Sequence, residues 1–310
     1  MQTVLISGGS GMIGKRLTYL LLEKGYEVII LSRDKNKKLN NPRIAYALWD
    51  IKKNYIDEAA VKKADFIIHL AGAGVMDKRW STAYKKEIVN SRVQSSQLLV
   101  DTLNKVPNQV KKIISASATG WYGPDKNSSH LFTEDDLPAH DFLAETCVAW
   151  EKSIEQAATK NRKIIILRTG IVLANEGGAL ASFAKPLKAG IAGIPGSGKQ
   201  ICSWIHIEDL CRMYWFAIEN NSMDGSYNAV APQPVALQKL IISLAENKRN
   251  KFYIPIHAPA FALQLLLGER SVEILKSTTV SCRKIKDAGF TFFYPGLQAA
   301  LQQLAAEPGL

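Results

Sequence analysis

A glycine turn near the start of the chain constrains its fold more than any other segment. Thr3–Ser7 is β-rich, Gly8-Gly9-Ser10-Gly11-Met12-Ile13-Gly14 reads as the turn, and Lys15–Lys24 carries Leu17, Leu20 and Leu21 at helical spacing before Gly25 stops it. Leaving a strand and entering a helix over so few residues demands a tight reversal and close packing of helix on strand, and a Cβ at position 8, 11 or 14 obstructs both. A second apolar run, Glu27–Leu31, follows at once. Others recur at Ile44–Leu48, Phe66–Leu70, Lys112–Ser115 and Lys163–Leu167, with helix-length amphipathic segments between several of them. Short continuous apolar runs alternating with helices predict a parallel sheet buried on both faces, hence an α/β, doubly wound fold.

Beyond Gly170 the texture changes. Residues 177–198 are rich in glycine, contain Pro186 and Pro195, and read as a long irregular crossing into Ser203–Leu210 and a helix bearing Tyr214, Phe216 and Ile218. From about Pro232 the pattern is helical and ends in the amphipathic segment Leu297–Leu304. The expected division is a larger domain, 1–230, with 170–205 contributing partly to the cleft, and a smaller lobe, 231–310, interleaved with it. Gly193-x-x-x-x-Gly198-Lys199 matches most of a P-loop, but Gln200 stands where Ser or Thr should hold magnesium. No β-strand is expected to run into it, so kinase-like chemistry is set aside.

Lys and Arg number 39 against 28 Asp and Glu, a formal charge of +11, which raises the question of a polyanionic partner. The lysines scatter in pairs (Lys62-Lys63, Lys85-Lys86, Lys111-Lys112) without interleaved aromatics, so nucleic acid is not expected and most of the excess reads as solvated surface. The longest apolar stretches, such as Phe66–Leu70 and Leu263–Leu267, fall far short of the roughly 20 residues that cross a bilayer. Val4-Leu5-Ile6 and the glycine turn follow Met1 with no basic n-region or cleavage site, so no signal peptide is expected. Cys147, Cys202, Cys211 and Cys282 lie far apart without a CxxC pair, which argues against a disulfide framework or a zinc site. The expectation is a soluble, cytoplasmic protein with no metal and no membrane partner.

The turn also implies a ligand. N–H groups at the start of the helix, with the positive end of its dipole, suit a pyrophosphate, and strand, glycines, helix and second strand together form the context of a dinucleotide site. The end of the second strand selects which dinucleotide: a carboxylate suits the ribose 2′-hydroxyl of NAD, whereas cations and hydroxyls suit the 2′-phosphate of NADP. The residues are Ser32-Arg33-Asp34-Lys35. Arg33 can meet a phosphate bidentately, Ser32 can donate a hydroxyl, and Asp34 falls one or two positions late, so NADP is favoured over NAD.

Further motifs follow in order: Trp49-Asp50, His69-Leu70-Ala71-Gly72, Asn90, Trp121-Tyr122-Gly123, Arg168-Thr169-Gly170 and Trp204-Ile205-His206-Ile207-Glu208-Asp209. With the glycine spacing they resemble the extended short-chain dehydrogenase/reductase superfamily and its NAD(P)-binding Rossmann fold. Asp77-Lys78-Arg79-Trp80, Ser91-Arg92, Ser117-Ala118-Thr119-Gly120, Ala149-Trp150-Glu151, Gly196-Ser197-Gly198-Lys199-Gln200 and Ala288-Gly289-Phe290 narrow the resemblance to the atypical sugar-nucleotide epimerase-like subfamily, which has its own carboxyl-terminal domain. The resemblance implies pyrophosphate contacts at Gly8, Gly11, Met12, Ile13 and Gly14, and 2′-phosphate contacts at Ser32 and Arg33. It places Leu70 and Ala71 beneath the adenosine side, Glu87 and Arg92 on the helix behind them, and Arg168 near the nicotinamide half. Lys199, Gln200, Trp204 and His206 would line the substrate cleft, where cations and an indole suit a nucleotide sugar.

One part of the pattern breaks. Members of the superfamily use a Tyr-x-x-x-Lys pair, and aligning its terminal glutamate with Glu151 puts Leu143 in the tyrosine slot and Cys147 in the lysine slot. The upstream hydroxyl slot is Ala118, flanked by Ser117 and Thr119, and Asn90 alone survives of the usual tetrad. Thr119, Tyr122 and His206 are the residues from which a proton shuttle could be rebuilt, with Thr119 and Tyr122 the catalytic candidates. Two readings follow: an NADP-binding oxidoreductase or epimerase-like enzyme acting on a nucleotide sugar or similar small carbonyl or hydroxyl substrate, and a non-catalytic NADP-binding sensor or scaffold.

Overall fold

Each of the six apolar runs becomes a strand. The computed structural model describes residues 1–34, 41–127, 130–249 and 252–306. β1 (Thr3–Ser7), β2 (Glu27–Ser32), β3 (Ile44–Asp50), β4 (Tyr55–Ile56), β5 (Phe66–His69), β6 (Lys112–Ala118) and β7 (Lys163–Thr169) are seven strands of one eight-stranded sheet. Its order is β12-β7-β6-β5-β1-β2-β3-β4, with β12 at Gly225–Ala229, and every pair is parallel except β3 with the edge strand β4.

Alternation along each strand feeds two cores. Val4, Ile6, Val28, Ile30, Ile68, Ile114 and Leu167 point to one face, where α1 (Met12–Glu23) and α6 (Ile207–Glu219) pack. Leu5, Ile29, Leu31, Ile67, Ile113 and Ile166 point to the other, under α2 (Glu58–Lys63), α3 (Thr82–Lys105) and α4 (Phe142–Glu155). Ser81 caps α3 and Asp141 caps α4 through backbone N–H groups. The chain winds from β1 to β2 on one side and returns to β5 on the other, so the carboxyl ends of β1 and β5 flank the crevice where such sheets bind ligands.

The remaining elements build a second layer of short sheets. β8 (Ile171–Leu173) pairs with β11 (Trp204–His206), β9 (Ile191–Pro195) with β14 (Ile254–Ala258), and β10 (Ile201–Cys202) with β13 (Val235–Ala236). The helices α5 (Gly178–Leu187), α7 (Leu237–Arg249), α8 (Ala260–Leu267), α9 (Ser271–Leu275), α10 (Arg283–Asp287) and α11 (Leu297–Ala306) complete the chain. Residues of α7 and α11 belong to the same core cluster as β1 and α1.

Several sequence expectations are corrected. The first helix begins at Met12, and Gly14 lies inside it, because Gly11 in extended conformation already serves as its cap. The crossing at 177–198 is not irregular: it holds α5 and β9, whose apolar periodicity is obscured by bounding glycines such as Gly178, Gly190 and Gly196, all at positive φ. A strand does run into the P-loop-like segment, but Gly193 sits within β9 and Gly198 closes a turn onto Pro195 O at 3.2 Å, with β10 and not a helix following. Lys112, grouped with surface lysines by its neighbour, is buried, and its ammonium donates to Ala217, Ile218 and Asn220 carbonyls at the end of α6. All four cysteines are buried free thiols. Among the described residues, no helix is long and apolar enough to cross a membrane, and no cluster of His, Cys, Asp or Glu could hold a metal ion.

Candidate functional site

The glycine turn sits at the mouth of the crevice, and its geometry explains its composition. Gly8 has φ +73°, and a Cβ there would approach the Leu70 carbonyl carbon to 2.9 Å. A Cβ on Gly14 would lie 2.5 Å from both Gly8 O and Gly9 Cα. Gly11 is the cap of α1 and offers no side-chain bond, and the first turn carries no acidic residue. No side chain therefore caps the opening N–H groups at the positive end of the helix, where Met12 and Ile13 are half-buried. Gly9 was missed by the sequence argument: its Cβ would strike Ile30 Cγ2 of β2 at 2.8 Å, and the G-G pair was the available signal.

At the end of β2, the Ser32 hydroxyl accepts from Asp34 N at 3.1 Å and shapes the turn, while Arg33 is exposed. Lys35 lies outside the described residues. Across the crevice, β5 ends at His69, whose ring is fully buried between Ser7 Oγ (2.6 Å) and the hydroxyls of Ser96 and Ser95. Burial, aided by the Arg92 charge, pushes its pKa down to about 3, so it is a neutral strut. Leu70 and Ala71 follow, half-buried, against the glycine turn.

The loop after Ala71 is fixed through its backbone. Ser91 Oγ accepts from Ala73 N, and Arg92 Nη1 donates to Ala73 O at 3.0 Å. Tyr84 and Trp80 donate to the next two carbonyls, Gly74 O and Val75 O. Arg92 is 9% exposed and lies over the Trp150 ring, so it supports the loop from behind. Glu87 is exposed and paired with Lys78 at 3.3 Å, and Asn90 is exposed on the same helix.

The end of β6 is where an acid or base would be needed. Leu143 and Cys147 face this point from α4: a Cβ on Gly120 would lie 3.3 Å from Leu143 Cβ and 3.8 Å from Cys147 Sγ, and the Cys147 thiol donates to Ala118 O. Burial raises the Cys147 pKa to about 11, which makes it a packing residue. Thr119, half-exposed in the 3-10 turn Thr119–Tyr122, keeps its hydroxyl out of any hydrogen bond among the described residues.

Tyr122 and Arg168 are placed in the interior. Arg168 clamps Glu151 bidentately at 3.0 and 2.9 Å, donates to Tyr122 Oη and Glu134 O, and stacks 3.7 Å from the Trp121 ring centroid. Ser117 donates to the same carboxylate, and Tyr122 donates to Asn228 Oδ1 at 2.6 Å. Burial raises the Tyr122 pKa to about 12. All three guanidinium nitrogens of Arg168 and the Tyr122 hydroxyl are thus engaged within the fold.

Three of the four residues expected along the substrate cleft are also structural. Gln200 is buried and bonds Pro195 O and Ile274 O, Trp204 is fully buried with its indole N–H on Gln233 O, and His206 caps α6 through Glu208 N while packing on Tyr294. Lys199 is exposed. Polar type and sequence position did not distinguish lining from interior here.

Comparison with known proteins agrees with this geometry. The family model described as NAD dependent epimerase/dehydratase family matches residues 4–230, and a domain of unknown function, DUF1731, matches 258–304. An epimerase family protein of Staphylococcus aureus (strain MRSA252) is 35% identical over 309 residues, covering 99% of this chain and all of the relative. The structure of human epimerase family protein SDR39U1 (isoform 2) with NADPH is 28% identical, covers 98% of this chain and 99% of that one, and superposes with a TM-score of 0.86. That of the nucleoside-diphosphate sugar epimerase from Corynebacterium glutamicum is 30% identical with a TM-score of 0.76, covering 99% of this chain and 59% of that one. A glycine turn at the topological switch point, a matching family model over most of the length and a full-length relative at 35% identity lead to one conclusion: the chain belongs to the NAD dependent epimerase/dehydratase family.

Proposed function

We propose that the crevice between β1 and β5 binds NADP(H), and that the chain is an oxidoreductase or epimerase-like enzyme acting on a small carbonyl or hydroxyl substrate of the nucleotide-sugar class. The observation that carries this reading is the start of α1, where no side chain bonds the opening N–H groups, with Gly8 held against Leu70 so that a pyrophosphate can reach the backbone. Arg33, exposed at the end of β2 beside Ser32, favours the 2′-phosphate. The names of the human and corynebacterial neighbours, one solved with NADPH and one a nucleoside-diphosphate sugar epimerase, support cofactor and substrate class.

Bound nicotinamide supplies or accepts hydride. The protein's own part is largely placement. N–H groups from Met12 to Gly14 hold the pyrophosphate, Leu70 and Ala71 floor the adenosine side, and Arg92 keeps their loop in place. Thr119 donates a hydrogen bond to the substrate oxygen. Its hydroxyl does not ionise in the working range, so it orients that oxygen, and the proton exchanges with water.

A specific observation favours the second reading, a sensor that binds NADP without turnover: the tyrosine and lysine slots hold Leu143 and Cys147, both packed against Gly120. Incubation with NADP(H) and a panel of nucleotide sugars, followed by nicotinamide absorbance and product stereochemistry, separates the two. The enzyme reading expects turnover that Thr119→Val lowers roughly a hundredfold. Tight NADPH binding with no turnover of any of them leaves the sensor.

A further inference from the structure

The loop that leaves β5 is held by a row of side chains, and the last of them comes from the far end of the chain. Four successive carbonyls, those of Ala73, Gly74, Val75 and Met76, accept from Arg92, Tyr84, Trp80 and Arg270 at 3.0, 2.6, 2.8 and 2.7 Å. The first three donors belong to α3 or its approach. Arg270 stands in the 3-10 turn Gly268–Arg270 that joins α8 to α9, 194 positions from Met76.

Two more polar contacts cross the same seam. Arg79 Nη2 donates to Leu265 O at 3.2 Å, at the end of α8, and Lys85 pairs with Glu269. Gly268, at φ +63°, lets the turn sit directly on Arg79: a Cβ there would meet Arg79 Nε at 3.1 Å. The helix behind this turn has little other anchorage. α8 has no buried residue, and Phe261, Leu265 and Leu266 are 73%, 80% and 73% exposed. An element joined by hydrogen bonds and an exposed ion pair, without a buried apolar face, belongs to the low-stability end of a fold.

We propose that Arg270 is a positioning residue for the dinucleotide loop, and that the α8–α9 turn is a clasp whose closure on Met76 is coupled to cofactor binding. The inference rests on the NADP(H) reading above. A dinucleotide against Leu70 and Ala71 fixes the start of the loop, which holds Met76 O where Arg270 reaches it. A closed clasp, in turn, removes part of the ordering cost of binding. The coupling is reciprocal: whatever affinity the clasp adds, the cofactor returns as protection of α8.

The test combines NADPH titration with amide hydrogen exchange over residues 260–276, on wild type, Arg270→Ala, Arg270→Lys, Lys85→Glu and Lys85→Glu/Glu269→Lys. NADPH should slow exchange in this segment of the wild type. Arg270→Ala should abolish that protection and weaken NADPH roughly five- to tenfold, with Arg270→Lys between the two. Lys85→Glu should show a smaller loss, recovered in the charge-exchanged double variant, which separates the clasp from general damage. NADPH affinity unchanged in a folded Arg270→Ala, or exchange at 260–276 indifferent to NADPH in a wild type that binds it, overturns the clasp. A wild type that binds no NADPH overturns the cofactor reading instead, and the clasp then stands or falls on faster exchange of residues 73–77 in Arg270→Ala.

Discussion

Replacing Arg168 by Met should unfold the protein more easily without selectively weakening its cofactor. The guanidinium and the Glu151 carboxylate are 5% and 4% exposed and joined by two bonds of 3.0 and 2.9 Å. Methionine keeps an apolar stem against Trp121 but leaves Glu151 charged and buried, with the Ser117 hydroxyl as its donor among the described residues. Removing one partner of such a pair costs about 3–5 kcal/mol, because the remaining charge has lost its compensation. In a chain of this size, that is a fall in Tm of roughly 5–8 °C. Urea unfolding followed by circular dichroism gives the loss directly, and Arg168→Met/Glu151→Leu should lose far less than the sum of the single changes. A folded Arg168→Met that loses under about 1 kcal/mol while binding NADPH more than tenfold worse would refute the reasoning, since Arg168 would then be serving the nicotinamide half.

Three other outcomes are expected. Arg33→Ala should weaken NADPH about ten- to a hundredfold and leave NADH within about twofold, in side-by-side fluorescence titrations, because only the 2′-phosphate loses a charged hydrogen bond. Gly14→Ala places a Cβ 2.5 Å from Gly8 O and should cost about 3 kcal/mol of stability, together with the pyrophosphate site, read by thermal melting and NADPH titration. His69 has its pKa lowered from 6.5 to about 3, so between those values the unfolded chain holds a proton that the folded one does not. Its contribution is therefore complete above pH 6.5 and declines on acidification by about 1.4 kcal/mol per pH unit, and His69→Gln should show a correspondingly flatter stability curve between pH 6 and 4.

What the sequence made legible was whatever a local pattern dictates. Val4-Leu5-Ile6 before Gly8 and the leucines after Gly14 describe a strand, a turn and a helix, because backbone conformation and two-sided burial are written in consecutive residues. α5 and β9 were hidden because glycines and prolines read as irregular, whereas Gly178, Gly190 and Pro195 bound two short elements and Pro186 and Gly193 lie inside them. What stayed illegible at the site has one physical cause. Tyr122, Arg168, Gln200, Trp204 and His206 carry groups suited to a ligand, yet their partners Asn228, Glu151, Ile274, Gln233 and Tyr294 lie on other elements. A polar side chain satisfied by the fold and one waiting for a ligand look alike until those partners are placed. The reading of Leu143 and Cys147 as unfit for acid–base work needed no partners, because it rests on their intrinsic chemistry, and the structure packs both against Gly120.

The central claim, that the glycine-capped start of α1 and Arg33 form an NADP(H) site, is tested most directly by titrating the purified wild-type protein with NADPH and NADH under identical conditions. The account predicts saturable binding of both, with NADPH at least about tenfold tighter. Binding of neither below millimolar concentration, or a preference for NADH, would contradict it.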